Sequence, residues 1–116
     1  MGMFRDSEAL DADLIKEMAE GLGSQGVRVE EILLKIRDLQ DRLYMMIDEN
    51  GDDPNGPGSR WLSMVNEIIN EHNVLVEKAE DALRWLLIQR EACGFRTHRN
   101  VSAHYPIPDK IRLLIP

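Results

Sequence analysis

The residues best suited to chemistry in this sequence lie near its C-terminal end. Cys93 is the only cysteine, and His98 and His104 follow it. A thiolate beside an imidazole is the arrangement of a cysteine nucleophile, and one thiolate with two imidazoles is a partial zinc site. Both interpretations are weak, because Cys93 would face the negative end of a helix dipole and the three ligands lack a fourth. We therefore expect a structural cysteine and predict no catalytic residue, metal or cofactor.

The segment DENGDDPNGPGS, residues 48 to 59, resembles a calcium-binding loop in its first half only. Asp48, Asn50 and Asp52 occupy the first, third and fifth positions of an EF-hand loop. The sixth position must be glycine for the sharp turn and is Asp53, and the twelfth should be a bidentate glutamate and is Ser59. We interpret the segment as a solvated turn.

A basic cluster is the one candidate binding surface. Residues 1–83 carry 8 basic against 19 acidic residues, a net charge of −11, whereas residues 84–116 carry 6 against 2, a net charge of +4. Two interpretations stay open, namely a site for an anion or a partner, and internal pairing with acids of the first helix. The residues predicted to bind a partner are Arg90, Arg96, His98 and Arg99. Arg84 and Lys110 complete the cluster, and the acids are Glu8, Asp11, Asp13 and Glu17.

The composition is that of one soluble domain. The 116 residues are 43% hydrophobic and 30% charged, which is too apolar for wholesale disorder. The net charge of −7 makes non-specific binding to nucleic acid or to an anionic membrane unfavourable for the molecule as a whole. The single cysteine favours a reducing compartment, and the apolar runs are too short to span a bilayer, so we expect a cytoplasmic protein without membrane association.

An apolar stripe at helical spacing marks the first half of the chain. The stripe keeps its phase across the glycines of residues 21–26, although each internal glycine costs a helix about 1 kcal/mol relative to alanine. The spacing therefore predicts one helix over residues 7–49 with a weak or kinked segment at residues 21–26, and two shorter helices are the alternative. The stripe consists of Ile15, Met18, Leu22, Gln25, Val29, Ile32, Ile36, Leu39, Leu43 and Met46.

A second wide stripe follows the loop of residues 50–59 and predicts a helix over residues 60–93, which Gly94 ends with a left-handed cap. The tail, residues 94–116, should contain one or two short helical turns. Thr97 or Asn100 can cap a turn through His104, and Pro108 can open another through Leu113. The stripe of this second helix consists of Trp61, Val65, Ile68, His72, Leu75, Ala79, Ala82 and Leu86, flanked by Leu62, Ile69, Val76 and Leu83.

The short loop predicts that the two helices pack antiparallel, with the numbers of facing residues adding to about 108. That register places Ala82 opposite Gly26, and it places Trp85 beside Gly23, where the missing side chain leaves room for an indole. His72 lies in the apolar seam, where a polar residue fixes register or oligomeric state more often than it acts as a pH switch. Because a lone hairpin buries little, we expect a homodimer that forms a four-helix bundle.

The segment WLLIQREACGFR, followed by HRNV and YPIP, resembles a family of small uncharacterised bacterial helical proteins. Members share a QREACG(L/F)R segment and a downstream Tyr-x-Ile/Val-Pro tail, and the likeness covers Trp85 to Pro108. The resemblance implies a bacterial cytoplasmic protein and a structural unit at residues 89–96. It implies no catalytic residues.

The fold class predicted is therefore an all-α antiparallel hairpin with a short helical tail. The leading hypothesis for function is a non-enzymatic oligomeric scaffold or adaptor that binds a macromolecular partner through its basic C-terminal end. A nucleic-acid-binding or regulatory protein using the same tail is the alternative, although only Phe95 and Tyr105 could stack on bases. An activity that depends on Cys93 is a minor third.

Overall fold

A computed structural model describes the backbone of residues 2–51, 58–96 and 98–114 and the side chains of residues 20–49, 58–96, 98 and 101–114. Three helices form, α1 (Gly2–Gly51), α2 (Ser59–Ala92) and α3 (Arg99–His104), and the described residues contain no strand. The two long helices pack against each other as a helical hairpin, and α3 follows as a short third helix. The predicted all-α hairpin is confirmed.

The apolar periodicity identifies the buried face of both long helices. Every described stripe position from Val29 to Leu43 is buried, while Leu22, Gln25 and Met46 are half-buried. On α2 the stripe and its flanking row are buried or half-buried throughout. Ile15 and Met18 lie outside the described side chains. Helix α1 is continuous through residues 21–26, so the alternative of two shorter helices is wrong.

The contacts within the chain group into two units. One unit comprises Met1–Glu30 with Asp81–Pro106, and the other comprises Glu31–Glu80 with Ile107–Pro116. We call the first the cap unit, because it contains the C-terminal end of α2, and the second the tail unit, because it contains Ile107–Pro116. Each contains a stretch of α1, a stretch of α2 and part of the C-terminal segment.

The tail unit has a compact apolar core. Leu39, Leu43, Val65, Ile68 and Ile69 form it, and half-buried Met46, Trp61, Leu75 and Ile111 pack against it. Two polar contacts fix its register. The Trp61 indole Nε1 donates to the Met46 carbonyl over 3.1 Å, and the Gln40 side-chain amide contacts the His72 ring over 3.1 Å. The paired numbers total 107 and 112, which agrees with the predicted 108 to within about one helical turn.

In the cap unit the glycines of α1 have a different use from the one predicted. A Cβ built on Gly26 would lie 2.7 Å from the hydroxyl oxygen of Tyr105, so this glycine makes room for the tyrosine of the tail and not for Ala82. A Cβ on Gly23 would have no neighbour within 4 Å, and Trp85 is 60% exposed. The expected indole packing at Gly23 is therefore wrong.

The C-terminal segment begins with the predicted helix cap and then departs from the predicted turns. Gly94 has φ +95°, the left-handed conformation that a glycine cap requires. His98 is the residue that precedes α3, and its side chain makes no capping hydrogen bond. The expected helical turn from Pro108 to Leu113 is absent, because residues 106–114 are non-helical and part of their backbone hydrogen bonds to side chains of α2.

Candidate functional site

The end of α2 is a complete Schellman motif. The Phe95 amide donates to the Arg90 carbonyl over 2.9 Å, and the Gly94 amide donates to the Glu91 carbonyl over 3.0 Å. A hydrophobic contact between the residues in these outer positions usually accompanies the motif. Here a cation–π contact replaces it, because the Arg90 guanidinium carbon lies 4.5 Å from the Phe95 ring centroid. The segment QREACGFR thus acts locally as a helix terminator.

Two of the four predicted partner-binding residues are engaged inside the cap unit. Arg90 stacks on Phe95, as described, and is half-buried. His98 is largely buried, and its Nε2 contacts the Glu91 carboxylate over 3.2 Å. Its Nδ1 has no hydrogen-bond partner among the described residues. Both side chains therefore already make contacts within the cap unit.

The other two predicted residues differ from them. Arg96 is exposed and makes no hydrogen bond or ion pair with any residue that the structure describes. Arg99 is the first residue of α3, and its side chain lies outside the described part. Arg84 pairs with Asp81 over 2.9 Å on the same helix. The side chains of Glu8, Asp11, Asp13 and Glu17, the acids expected to neutralise the cluster, also lie outside the described part.

The positions of the described residues do not support the metal or the thiol interpretation of Cys93. Cys93 is free and half-buried. Within the described residues no group of three His, Cys, Asp or Glu side chains could hold a metal ion. Asp52 and Asp53 of the calcium-like loop are outside the described residues.

Apolar side chains are exposed around the end of α2. Trp85 and Ile88 are three residues apart, so they are neighbours on the helix surface, and they are 60% and 48% exposed. Phe95, just beyond the cap, is 48% exposed even though one face of its ring covers Arg90. We call these three residues and Arg96 the C-terminal surface.

The tail unit contains a binding arrangement that the sequence interpretation missed. Residues 107–114 form neither helix nor strand, and the side chain of Asn73 on α2 pairs with the backbone of Ile111 in both directions. The Asn73 Nδ2 donates to the Ile111 carbonyl over 2.8 Å, and the Ile111 amide donates to the Asn73 Oδ1 over 2.9 Å. This paired contact satisfies the same two groups that a neighbouring β-strand would satisfy.

A second asparagine repeats this contact one step farther along. The Asn66 Nδ2 donates to the Leu114 carbonyl over 3.0 Å, and the Leu114 amide donates to the Asn66 Oδ1 over 2.8 Å. Seven residues of α-helix rise about 10.5 Å, and three residues of extended chain span about 10 Å. The seven-residue spacing on α2 therefore matches the three-residue spacing on the tail. We call Asn66 and Asn73 the asparagine clasp.

The clasp is connected to the buried histidine. His72 is 1% exposed, and its Nδ1 donates to the same Asn73 Oδ1 over 3.0 Å. With Nδ1 as the donor, Nε2 of the neutral ring accepts from the Gln40 side-chain amide of α1. One chain of hydrogen bonds thus links α1, α2 and the tail through His72, the polar residue in the apolar seam.

Two tail side chains add specificity to the backbone contacts. Ile111 packs on the core and lines a cavity of about 280 Å³ with Gln40, Leu43, Tyr44 and Ile47. The Lys110 ammonium pairs with the Glu77 carboxylate. The hydrogen bond to Glu77 and the charges of Glu77 and Glu80 raise the pKa of Lys110 above its usual 10.5, against a smaller opposing effect of burial.

The clasp had a weak signal in the sequence. Asparagine is a poor residue for a helix interior, because its side chain competes for backbone hydrogen bonds. Two asparagines seven residues apart lie on one face of α2, beside the apolar stripe. The tail that follows α3 is apolar and has no helical periodicity. Only the structure shows that the backbone of the tail provides the hydrogen-bond partners of the two asparagines.

No helix in the described part of the chain is both long enough and apolar enough to cross a membrane. Comparison of the chain with protein-family models, with curated proteins and with solved structures finds no match.

Proposed function

We propose that this chain is a non-enzymatic adaptor or scaffold of the bacterial cytoplasm that binds a macromolecular partner through its C-terminal surface. The observation that carries the proposal is the exposure of Trp85 and Phe95, two of the largest apolar side chains, at the end of α2. Tryptophan and arginine are the residues that most often dominate the energy of protein interfaces. Arg96 supplies a cation there that no described residue neutralises.

The proposal assigns partner binding to only part of the basic cluster. Arg84 and Lys110 each pair with a carboxylate, and Arg90 stacks on Phe95. Cations already paired within the chain contribute less to binding an external anion. A protein partner with an apolar surface and an acidic rim therefore fits the C-terminal surface better than a nucleic-acid backbone does.

The second part of the proposal is a homodimer that forms a four-helix bundle. Five large apolar side chains of the tail unit are between 48% and 70% exposed. An interface of standard size buries about 1,600 Å² in total, which a helix pair with such side chains can supply. These side chains belong to Leu34, Tyr44, Met45, Met64 and Val74.

The experiment is a quantitative pull-down from a bacterial lysate with the immobilised full chain. A chain with both Trp85→Ala and Phe95→Ala is compared with Val27→Ala, which shortens an apolar side chain that is 52% exposed on α1 and belongs to neither proposed interface. We expect a defined set of captured proteins that the double variant loses and Val27→Ala retains. Equal capture by all three chains would remove the C-terminal surface as the site. Nucleic acid as the captured species, released steeply by salt, would favour the alternative function.

A further inference from the structure

We propose that the asparagine clasp is a binding site for an extended peptide, and that its ligand in trans is residues 107–114 of a second copy of the chain. The two copies would exchange tails, each placing its segment on the clasp of the other. The inference concerns the tail unit, so it does not depend on the C-terminal surface or on a bundle of helix faces.

The first argument is the way the clasp recognises its occupant. All four of its hydrogen bonds go to backbone amides and carbonyls, two at Ile111 and two at Leu114. Contacts of this kind do not depend on side chains, so they can bind another segment whose backbone presents a free amide and carbonyl on one side at two positions three residues apart. They are the means by which peptides add to sheet edges, with side-chain pockets supplying specificity. The clasp performs the same recognition from a helix.

The second argument is specificity for this particular segment. The apolar side chain of Ile111 packs against the core, and the residue before it, Lys110, pairs with Glu77 and lies near the negative charge of Glu80. A matching peptide therefore has a cation followed by a large aliphatic residue in an extended chain. A second copy carries that sequence by definition, so the cognate ligand is present wherever the protein is.

The third argument concerns the free energy of exchange. In a tail-exchanged pair every contact made within one chain is replaced by the same contact between chains, so the exchange loses no interaction. Arg112, Leu113 and Leu114 of the tail are exposed, so little apolar surface has to be uncovered when these residues leave. Helix α3 ends at His104 and the residues that lead to Ile107 are non-helical, so the chain would reorient there.

A charge-swap experiment on full chains tests the exchange. Glu77→Lys places a cation on the groove opposite the chain's own Lys110, and Lys110→Glu places an anion on the tail opposite its own Glu77. Each variant alone is mismatched, both within a chain and between identical chains. In the mixture, the groove of each variant matches the tail of the other. Both substituted side chains are well exposed, at 61% and 49%, so the fold should tolerate the changes.

Native mass spectrometry with one variant labelled with ¹⁵N measures the product. We expect the mixed dimer to exceed either homodimer clearly, and to be lost when both variants also carry Asn73→Ala. Asn70→Ala, on an exposed asparagine of the same helix, is the matched control and should leave the mixed dimer intact.

Three results would overturn the exchange. A mixture that stays monomeric removes it outright. Dimers that form equally in each variant alone and mix in statistical proportion indicate a helix-face bundle, which supports the homodimer proposed above but not tail exchange. A mixed dimer that survives Asn73→Ala places the contact elsewhere. Failure here leaves the pull-down result of the C-terminal surface unaffected.

Discussion

Replacing Asn73 by alanine should be among the most destabilising single changes at a half-buried polar residue of this chain. The substitution removes two hydrogen bonds to Ile111, each with a net contribution of about 0.5–1.5 kcal/mol. It also leaves the buried Nδ1 of His72 without its acceptor, which costs about 1–3 kcal/mol. The higher helix propensity of alanine returns at most about 0.7 kcal/mol. The expected net loss is about 3 kcal/mol.

Two further asparagines of α2 make the measurement specific. Asn66→Ala removes two exposed hydrogen bonds to Leu114 and leaves no buried group without a partner, so it should cost only about 1 kcal/mol. Asn70 is exposed, and Asn70→Ala should be neutral or slightly stabilising.

Urea denaturation followed by circular dichroism gives the free energy of unfolding of the wild-type chain and the three variants. The expected order of destabilisation is Asn73→Ala, then Asn66→Ala, then Asn70→Ala. If Asn73→Ala and Asn70→Ala agree to within about 0.5 kcal/mol, the reasoning about the clasp and His72 is refuted.

Three other outcomes are expected. Gly23→Ala should stabilise the chain by up to about 1 kcal/mol. Gly26→Ala should stabilise it less, because the Tyr105 hydroxyl must move to make room for the new Cβ. Adding Tyr105→Phe should remove the difference between the two variants in thermal melting experiments. Gly94→Ala should cost about 1–2 kcal/mol in urea denaturation, because a left-handed residue with a Cβ is strained, and an unchanged stability would contradict the cap. The folded-state pKa of Lys110 is raised, so its ion pair stabilises the fold fully below pH 10.5 and is lost as the pH rises through the higher folded value. The stability difference between wild type and Lys110→Met should therefore be constant between pH 7 and pH 10.5 and shrink above that range.

The helices could be predicted because their information is local and periodic. The stripe from Val29 to Leu43 repeats every three to four residues, and each member is buried. Gly94 was equally predictable, since a glycine that follows a helical pattern has few other uses. The antiparallel register followed from the short loop and was right to within about one turn.

The tail could not be predicted because its conformation is set by residues far away in sequence. Pro108 is compatible with a helical turn, and nothing local excludes one. The non-helical conformation is favoured because Asn73, 38 residues earlier, offers both a donor and an acceptor to the backbone of Ile111. The use of Gly26 was missed for a similar reason, since its neighbour is Tyr105 of the tail and not a residue of α2. Matching residue numbers across the hairpin predicts only contacts between α1 and α2, so it cannot reveal a contact with the tail.

The most direct test of the central claim is amide hydrogen exchange, measured residue by residue by NMR on the full chain. If the clasp holds the tail, the Ile111 and Leu114 amides should exchange slowly, because each donates to an asparagine side chain. The amide of Arg112, which donates no hydrogen bond within the described part of the chain, should exchange quickly. Exchange of all three amides at the rate of an unstructured peptide would contradict the clasp.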